Sequence, residues 1–502
     1  MNKNIKLGIT ALSLVGISLA GCKKEYLDTK PSDAVTTEVI FETTSAAYIA
    51  LNGIHTLMLT SELAKADNNH RDFGAKNADL SSDLMGADVV SQDAGGFDWF
   101  YNYYAYIAPR DPSNEAYNIW LFHYRIINNA NAIINNIDDA NGSDADKNDL
   151  KGQALAYRAW AYHRLITRFS QPYFESAESM TPRGDLPGVP IYTSASSGET
   201  QGNPRGTVKE VVDLMSKDIN DAIALLSGDA TTHAEKSHIN LNVAHGIAAR
   251  IAMYKRDYAA ALTHANAAKD GYGFMSASDF GNGMNSNTNP EFMWCSTLNT
   301  QQYLNLSILS WISFVDETCP GYAGGTAVER RITKDLYDQL ESSDRRRVWW
   351  APTGTPNYYQ RKFRSANPES FECDVLYMRV AEMYLIAAEA AARLDRLGEA
   401  KGYLQTLVDT RHTGSVTLPD TKADLIARIL WERRVDLWLE GFGQTDLKER
   451  NLPLHRVTGT NNHNITQAVV IDLEANHNWF TFKIPLAEIN ANPNIDQSHQ
   501  NP

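Results

Sequence analysis

Eight stretches of this chain repeat apolar side chains three and four residues apart, and that period leaves few folds open. One runs Trp120, Tyr124, Ile127, Ala130, Ile134, Ile137, and a second Leu155, Tyr162, Leu165, Phe169. A third runs Val208, Val211, Val212, Met215, Ile219, Ala222, Ile223, Leu226, with Thr207 placed to cap it. Five more cover 243–254, 258–269, 380–394, 399–411 and 422–439. Each predicts a helix with one apolar face, which has to be buried against another helix.

Two pairs of these helices are joined by tight turns. Residues 249–254 pass through Lys255-Arg256-Asp257 into Tyr258 and Ala261. Residues 387–394 pass through Asp395-Arg396-Leu397-Gly398 into Ala400 and Leu404. Small Ala at the crossing and an aromatic or Leu knob nearby resemble tetratricopeptide-type hairpins. Their spacing is irregular, so the pairs predict one stacked body with a continuous core instead of a tandem array. The expected architecture is mostly α: tetratricopeptide-like hairpins, with the scaffold at about 40–60, 113–270 and 377–450. Residues 66–112 and 270–376 are rich in Gly, Asn, Asp, Ser and aromatics without a lasting helical period. They predict long irregular loops and short strands on a ligand-binding face, since binding residues concentrate on loops held by a rigid scaffold. Residues 182–204 are Pro/Gly-rich and predict a surface connection.

Composition narrows the function. Across 502 residues, 46 Lys+Arg oppose 60 Asp+Glu, a net charge of −14 with no long basic run. That argues against a nucleic-acid binder, which needs a basic footprint. Ten Trp, 23 Tyr and 16 Phe supply a core and argue against disorder. After the N-terminus no apolar run reaches the length of a spanning helix.

The N-terminus reads as an address. Lys3 and Lys6 precede a short apolar stretch, 7–20, that closes on Leu19-Ala20-Gly21-Cys22. Basic start, apolar middle and small-residue end make residues 1–21 a secretory signal peptide. Leu-Ala-Gly-Cys resembles a bacterial lipobox, which implies cleavage before Cys22 and acylation of that residue. Each buried methylene of an acyl chain contributes about 0.8 kcal/mol to membrane attachment. Cys295, Cys319 and Cys373 remain. An odd number leaves at least one free thiol, and a Cys295–Cys319 bridge is open on sequence grounds.

Signatures of chemistry are missing. There is no GxxxxGK[ST], GxSxG, HExxH or CxxC. Residues 139–150 have the look of a calcium loop, but its sixth and twelfth positions hold Asp144 and Leu150 where Gly and Glu belong. They predict a polar turn between two helices. His233 and His238 are five apart and His463 and His477 isolated, so no metal ligand set is expected. No cofactor is expected either.

Sugar binding needs flat apolar faces beside hydrogen-bonding groups. Residues 97–106, Phe-Asp-Trp-Phe-Tyr-Asn-Tyr-Tyr-Ala-Tyr, hold seven aromatics in ten and follow Asp93-Ala94-Gly95-Gly96. If extended, Trp99, Tyr101 and Tyr103 share one face, with Asp98 and Asn102 as polar neighbours. The competing reading packs these rings into the core. A second candidate lies at 303–322, with Tyr303, Trp311, Phe314 and Tyr322. Arg345-Arg346-Arg347, ahead of Trp349-Trp350, reads as a solvated basic face beside a locally packed Trp pair.

Several separated stretches together resemble SusD/RagB-family lipoproteins. They are Tyr26-Leu27-Asp28-Thr29-Lys30-Pro31 after the lipobox, 120–134 with Asn128-Asn129-Ala130-Asn131, and Gln153-Ala154-Leu155-Ala156-Tyr157-Arg158-Ala159. Arg379 through Ala390, Glu432-Arg433-Arg434 through Glu440-Gly441 to Asp446-Leu447, and the tail from Ile484-Pro485 to Gln500-Asn501-Pro502 follow in family order. Phe442-Gly443-Gln444 and Gln171-Pro172-Tyr173 depart from the pattern and mark a divergent member. The resemblance implies one domain over 22–502, anchored by lipid on the cell surface at the outer membrane. It implies a SusC-like TonB-dependent transporter as partner and a captured nutrient, usually a glycan. The expected activity is therefore binding without catalysis. An all-helical glycoside hydrolase, or a binder of the same family that takes peptides, are the alternatives.

Overall fold

The computed structural model describes residues 37–59, 70, 73–92, 96–354 and 357–502. Its longer helices are α1 Thr44–Leu57, α2 Ala75–Met85, α3 Asn114–Asn136, α4 Asp144–Phe169, α5 Val208–Ser227, α6 Leu241–Tyr254, α7 Tyr258–Ala268, α8 Val380–Arg393, α9 Leu397–Arg411, α10 Lys422–Asp436 and α11 Gly443–Glu449. All eight periodic stretches are helical, and local sequence sets their starts. Ser143 accepts the Asp146 N–H at the head of α4, so 139–150 is the polar turn expected. Thr207 and Glu210 form a reciprocal capping box on α5.

The helices pack in series. α4 lies between α3 and α5, α5 meets α6, the α6–α7 hairpin leans on α8, and α8 is covered by α9 and α10. The α6–α7 and α8–α9 pairs are the two expected hairpins. Ala387, Ala388, Ala390, Ala391 and Ala392 are all buried on α8, small enough for several helices to crowd it. A Cβ on Gly152 would lie 2.8 Å from the Leu226 side chain, so the approach of α4 to α5 depends on that glycine.

Residues 270–376 hold loops and short strands together with short helices at Thr300–Leu306 and Lys334–Asp338. β1 Val89–Gln92, β2 Phe292–Ser296, β3 Glu329–Ile332, β4 Trp350–Ala351, β5 Tyr359–Gln360 and β6 Val375–Arg379 form two of the sheets. One is antiparallel in the order β1-β3-β5-β4, with Val89 opposite Ile332 and Gln92 opposite Glu329. The other pairs β2 with β6, which runs directly into α8.

Residues 66–112 correct the sequence reading, because α2 is an 11-residue helix inside them. It has no solvent face and hence no amphipathic period: Asn77, Ser81, Ser82 and Asp83 are as buried as Leu80 and Leu84. Ser81, Ser82 and Asp83 use their polar groups internally. Ser82 Oγ meets Thr445 Oγ1 at 3.1 Å, and the Asp83 carboxylate accepts the Gly441 and Gly443 N–H groups at 2.7 and 2.9 Å. Gly441 sits at φ +96°, where a Cβ would also strike Asp79. Burial pushes the Asp83 carboxyl up to about 7, against the pull of those two N–H groups.

A buried charge network joins the loop-rich portion to the helices. Asp436 on α10 accepts from Arg379 at 2.7 Å, Arg411 at 2.7 Å and Arg346 at 3.1 Å. Glu291 bridges Arg379 and Arg411 at 2.8 Å each, and Arg346 also holds Asp344 and Glu432 at 2.7 Å. Lys362 pairs with Glu440 and donates to the Asp436 and Trp438 carbonyls. Burial works against charge here, yet Arg411 and Arg379 hold the Asp436 carboxyl well below the usual range. Arg346 is therefore no solvated face, which corrects that part of the sequence reading. Trp349 and Trp350 do pack inside beside it. Cys295, Cys319 and Cys373 are buried and unbridged.

Candidate functional site

The aromatic run is not extended. It turns at 97–100 and enters one helical turn, Tyr101–Tyr104, so Trp99, Tyr101 and Tyr103 do not share a strand face. The cause is Asp98. Its carboxylate accepts the Phe100 N–H at 3.0 Å, an Asx-type turn that competes with strand geometry. The same carboxylate accepts Ser91 Oγ at 2.6 Å and the Arg330 guanidinium at 2.8 and 3.0 Å, and the Asp98 and Arg330 side chains are free of solvent. Asp98 thus ties the run to β1 and β3, and its oxygens are spent inside the protein. This corrects its expected place in the ligand contact.

Tyr103 is a second correction. It is fully buried, stacks on Phe100 with centroids 5.7 Å apart and donates to the Glu115 carbonyl at 3.3 Å. Asn102 is half-buried and donates to Glu115 Oε1 at 2.7 Å. Tyr104 and Tyr106 also point inward, to His463 and to the Met85 carbonyl.

What faces outward is the front of the run. Phe97 is 52% exposed, and Trp99 and Tyr101 are half-buried. The Trp99 ring stacks on His70 at 4.7 Å and 9°. His70 stands edge-on to Tyr322, whose hydroxyl contacts His70 Nδ1. Tyr322 stacks on Phe314 at 4.3 Å, and Phe314 packs on Phe73 and Phe100. Trp99 and Tyr322, from the two separate candidate stretches, therefore meet through His70. Burial raises the Tyr322 phenol above its ordinary range.

Tyr303 and Trp311 do not join them. Tyr303 donates to Asp374 at 3.0 Å, and burial followed by Asp374 pushes its phenol up. Trp311 packs on Phe363, with Lys76 Nζ 5.1 Å above its ring. Tyr303, Trp311 and Tyr322 are all nearly solvent-free, so none is an exposed platform as the sequence reading had it. His70 was missed, because a single His in a polar stretch has no spacing to reveal it.

One cluster invites a metal reading. The ligand atoms of His233, Glu235 and His238 lie within 4.8 Å of one another. The surrounding hydrogen bonds do not suit a metal. Gln153 Oε1 accepts the Ile239 N–H at 2.9 Å, which aims the amide nitrogen at His238 Nδ1, 3.1 Å away. Nδ1 must then accept, and the ring carries its proton on Nε2, where a metal would need a lone pair. The rings stack on one another instead. His233 and His238 lie 3.7 Å apart at 8°, with His55 edge-on at 4.7 Å. Burial, then the neighbouring rings, lowers His55 to about 3 and His238 to about 4.

Cys22 and the expected signal peptide lie outside the described residues. Among the described residues no helix is long and apolar enough to cross a membrane.

Comparison with known proteins places this geometry. A SusD-like family model, described as starch-binding and associating with the outer membrane, matches residues 25–253. A SusD family model matches residues 335–502. No curated protein sequence matches significantly. A SusD-like carbohydrate binding protein from Bacteroides vulgatus superimposes with TM-score 0.77 at 26% identity, covering 91% of this chain and 98% of its own. A SusD superfamily protein from Bacteroides thetaiotaomicron has TM-score 0.75 at 23% identity, covering 92% of this chain and 100% of its own. Surface glycan-binding protein A from the same organism, solved with laminarihexaose, has TM-score 0.67 at 16% identity and shares the fold over 91% of this chain and 99% of its own.

Proposed function

Because the chain belongs to the SusD/RagB family, we propose that it is a non-catalytic lipoprotein of the outer-membrane surface that captures a glycan and passes it to a SusC-like TonB-dependent transporter. Membrane attachment in this reading is through acyl chains on Cys22. The observation that carries it is the outward front of the aromatic run: Phe97 and Trp99, with the Trp99 ring backed by His70 and the turn pinned by Asp98. A ring held flat by a second ring offers the C–H face of a pyranose a surface at little entropic cost. Relatives of the same fold described as carbohydrate binding, one of them holding laminarihexaose, support the cargo class.

The test is native electrophoresis of residues 23–502 through gels containing different polysaccharides, beside a Trp99→Ala variant. Retardation by one polymer that remains uncleaved, lost in the variant, is the expected result. Cleavage of the polymer would instead favour a helical glycoside hydrolase. Failure with every saccharide, together with binding to a peptide library, would move the cargo to peptides. Intact-mass analysis of membrane-extracted protein tests the anchor, and an unmodified Cys22 would refute it.

A further inference from the structure

A second cleft, lined by none of the residues of the Trp99 front, lies between the segment around Arg110 and the segment 477–483. It holds about 450 Å³, enough for a small saccharide, and is lined by Pro109, Arg110, His477, Asn478, Trp479, Thr481, Lys483 and Pro502. Its walls are fixed by backbone bonds. Lys483 N–H donates to the Pro109 carbonyl and Phe482 N–H to the Arg168 carbonyl, each at 2.9 Å. The floor is the half-buried Trp479 ring, with the Arg110 guanidinium 4.2 Å over it and His477 edge-on at 5.1 Å.

The polar groups on these walls are biased one way. No Asp or Glu side chain lines the cleft. Arg110 spends its Nε on the Tyr106 carbonyl at 2.8 Å, and Lys483 spends one donor on the Asn501 carbonyl at 2.7 Å. Among the described residues neither the exposed Arg110 nor the half-buried Lys483 makes a salt bridge. His477 Nδ1 accepts the Trp479 N–H, which leaves Nε2 as that ring's donor. Even with a terminal carboxylate on Pro502, the walls carry two cations to one anion. We propose that this cleft is a second ligand site, selective for a carboxylate-bearing sugar of the uronate type: the stacked Arg110–Trp479 pair frames the sugar, and Arg110 and Lys483 take its carboxylate. Guanidinium donors suit a planar carboxylate, and an aromatic floor separates a sugar acid from a simple inorganic anion.

The test titrates residues 23–502 with trigalacturonate by calorimetry, with its neutral methyl ester as control. Binding of the acid, at least tenfold weaker for the ester, is expected. An Arg110→Gln/Lys483→Gln variant should weaken binding at least tenfold, with Trp99→Ala unchanged. Raising salt from 20 to 300 mM should weaken the wild type and separates charge recognition from misfolding should the double variant melt early. Equal binding of acid and ester, an unaffected double variant, salt-independent affinity, or no binding at all would overturn the proposal. Loss in Trp99→Ala with the double variant intact would place the acid on the first platform, also overturning it. A failure of the first platform to bind any glycan leaves this test readable, since the two sites share no residue.

Discussion

Asp98 separates a positioning role from a ligand contact by a measurable margin. Its carboxylate accepts four bonds: two from Arg330, one from Ser91 Oγ and one from the Phe100 N–H, all in a solvent-free setting. Asp98→Asn keeps the size but removes the charge and turns an amide N–H₂ toward donors. Arg330 would keep only uncharged acceptors: the amide oxygen, Ser91 Oγ and the Glu329 carbonyl. Breaking one side of a buried ion pair costs about 3–5 kcal/mol, several times the ~1 kcal/mol of an ordinary hydrogen bond. Against a typical total of about 5–15 kcal/mol, that is a large fraction. Urea denaturation of residues 23–502 should therefore show a clear fall in midpoint for Asp98→Asn. An Asp98→Leu/Arg330→Met double variant should recover most of the loss, because the uncompensated charge is gone. A direct sugar contact predicts the opposite pattern: stability within about 0.5 kcal/mol of wild type and affinity lost. That pattern would refute the assignment of Asp98 to the turn.

Asp83 makes stability depend on pH in an unusual direction. Its folded pKa near 7 lies above the ordinary carboxylate value near 4, so its stabilising contribution is full below about 4 and is lost as pH rises through 7. Relative to Asp83→Asn, wild type should lose roughly 4 kcal/mol across that interval at 1.36 kcal/mol per unit, and a pH-independent difference would show that the Gly441 and Gly443 N–H groups keep the carboxylate ionised. Arg411→Met strips one cation from both Asp436 and Glu291 and should cost about 3–5 kcal/mol in urea denaturation, whereas a cost below 1 kcal/mol would show that Arg379 and Arg346 suffice. Burial pushes the Cys295 and Cys319 thiols up to about 12 and raises Cys373 as well. A disulfide reagent at pH 8 should therefore label none of the three until denaturant is added, and one fast-reacting thiol in the native protein would contradict their burial.

The scaffold was legible where helices have a wet side. α3 to α10 each set apolar residues against polar ones, and Thr207 announced its own cap. α2 was hidden for the same physical reason in reverse: with Ser82 and Asp83 satisfied by α11 and its leading loop, polar residues sit on every side and the period vanishes. The 97–106 run failed differently. Alternating aromatics do suit a strand, but one buried carboxylate bonded to the Phe100 N–H and to Arg330, 232 residues away in sequence, turned the chain instead. No local pattern encodes a partner that distant. Arg346 was misread for a related reason, since a basic triplet looks solvated until Asp344, Glu432 and Asp436 are brought around its middle member.

The residues that identify the family turn out to be mainly structural ties. Within 379–390, Arg379 binds Glu291, Asp436 and Glu440, Glu382 binds Arg250, and Glu389 binds Arg450. In the 432–447 stretch, Glu432 meets Arg346, Arg433 meets Asp446, and Arg434 meets Asp88. Further forward, Arg158 joins Asp218 to Asn131. Apart from the exposed Arg434–Asp88 pair, breaking any one of these pairs is expensive, and that expense ties the motif to the fold. Sugar contacts carry no such constraint, because a platform residue can change without unfolding the chain. The two matched family regions, 25–253 and 335–502, leave out the interval that holds Tyr303, Trp311 and Tyr322. Family membership thus fixes the scaffold and its charge ties, while in the proposed reading the cargo is selected by the outward rings Phe97 and Trp99, which the Asp98–Arg330 tie holds in place.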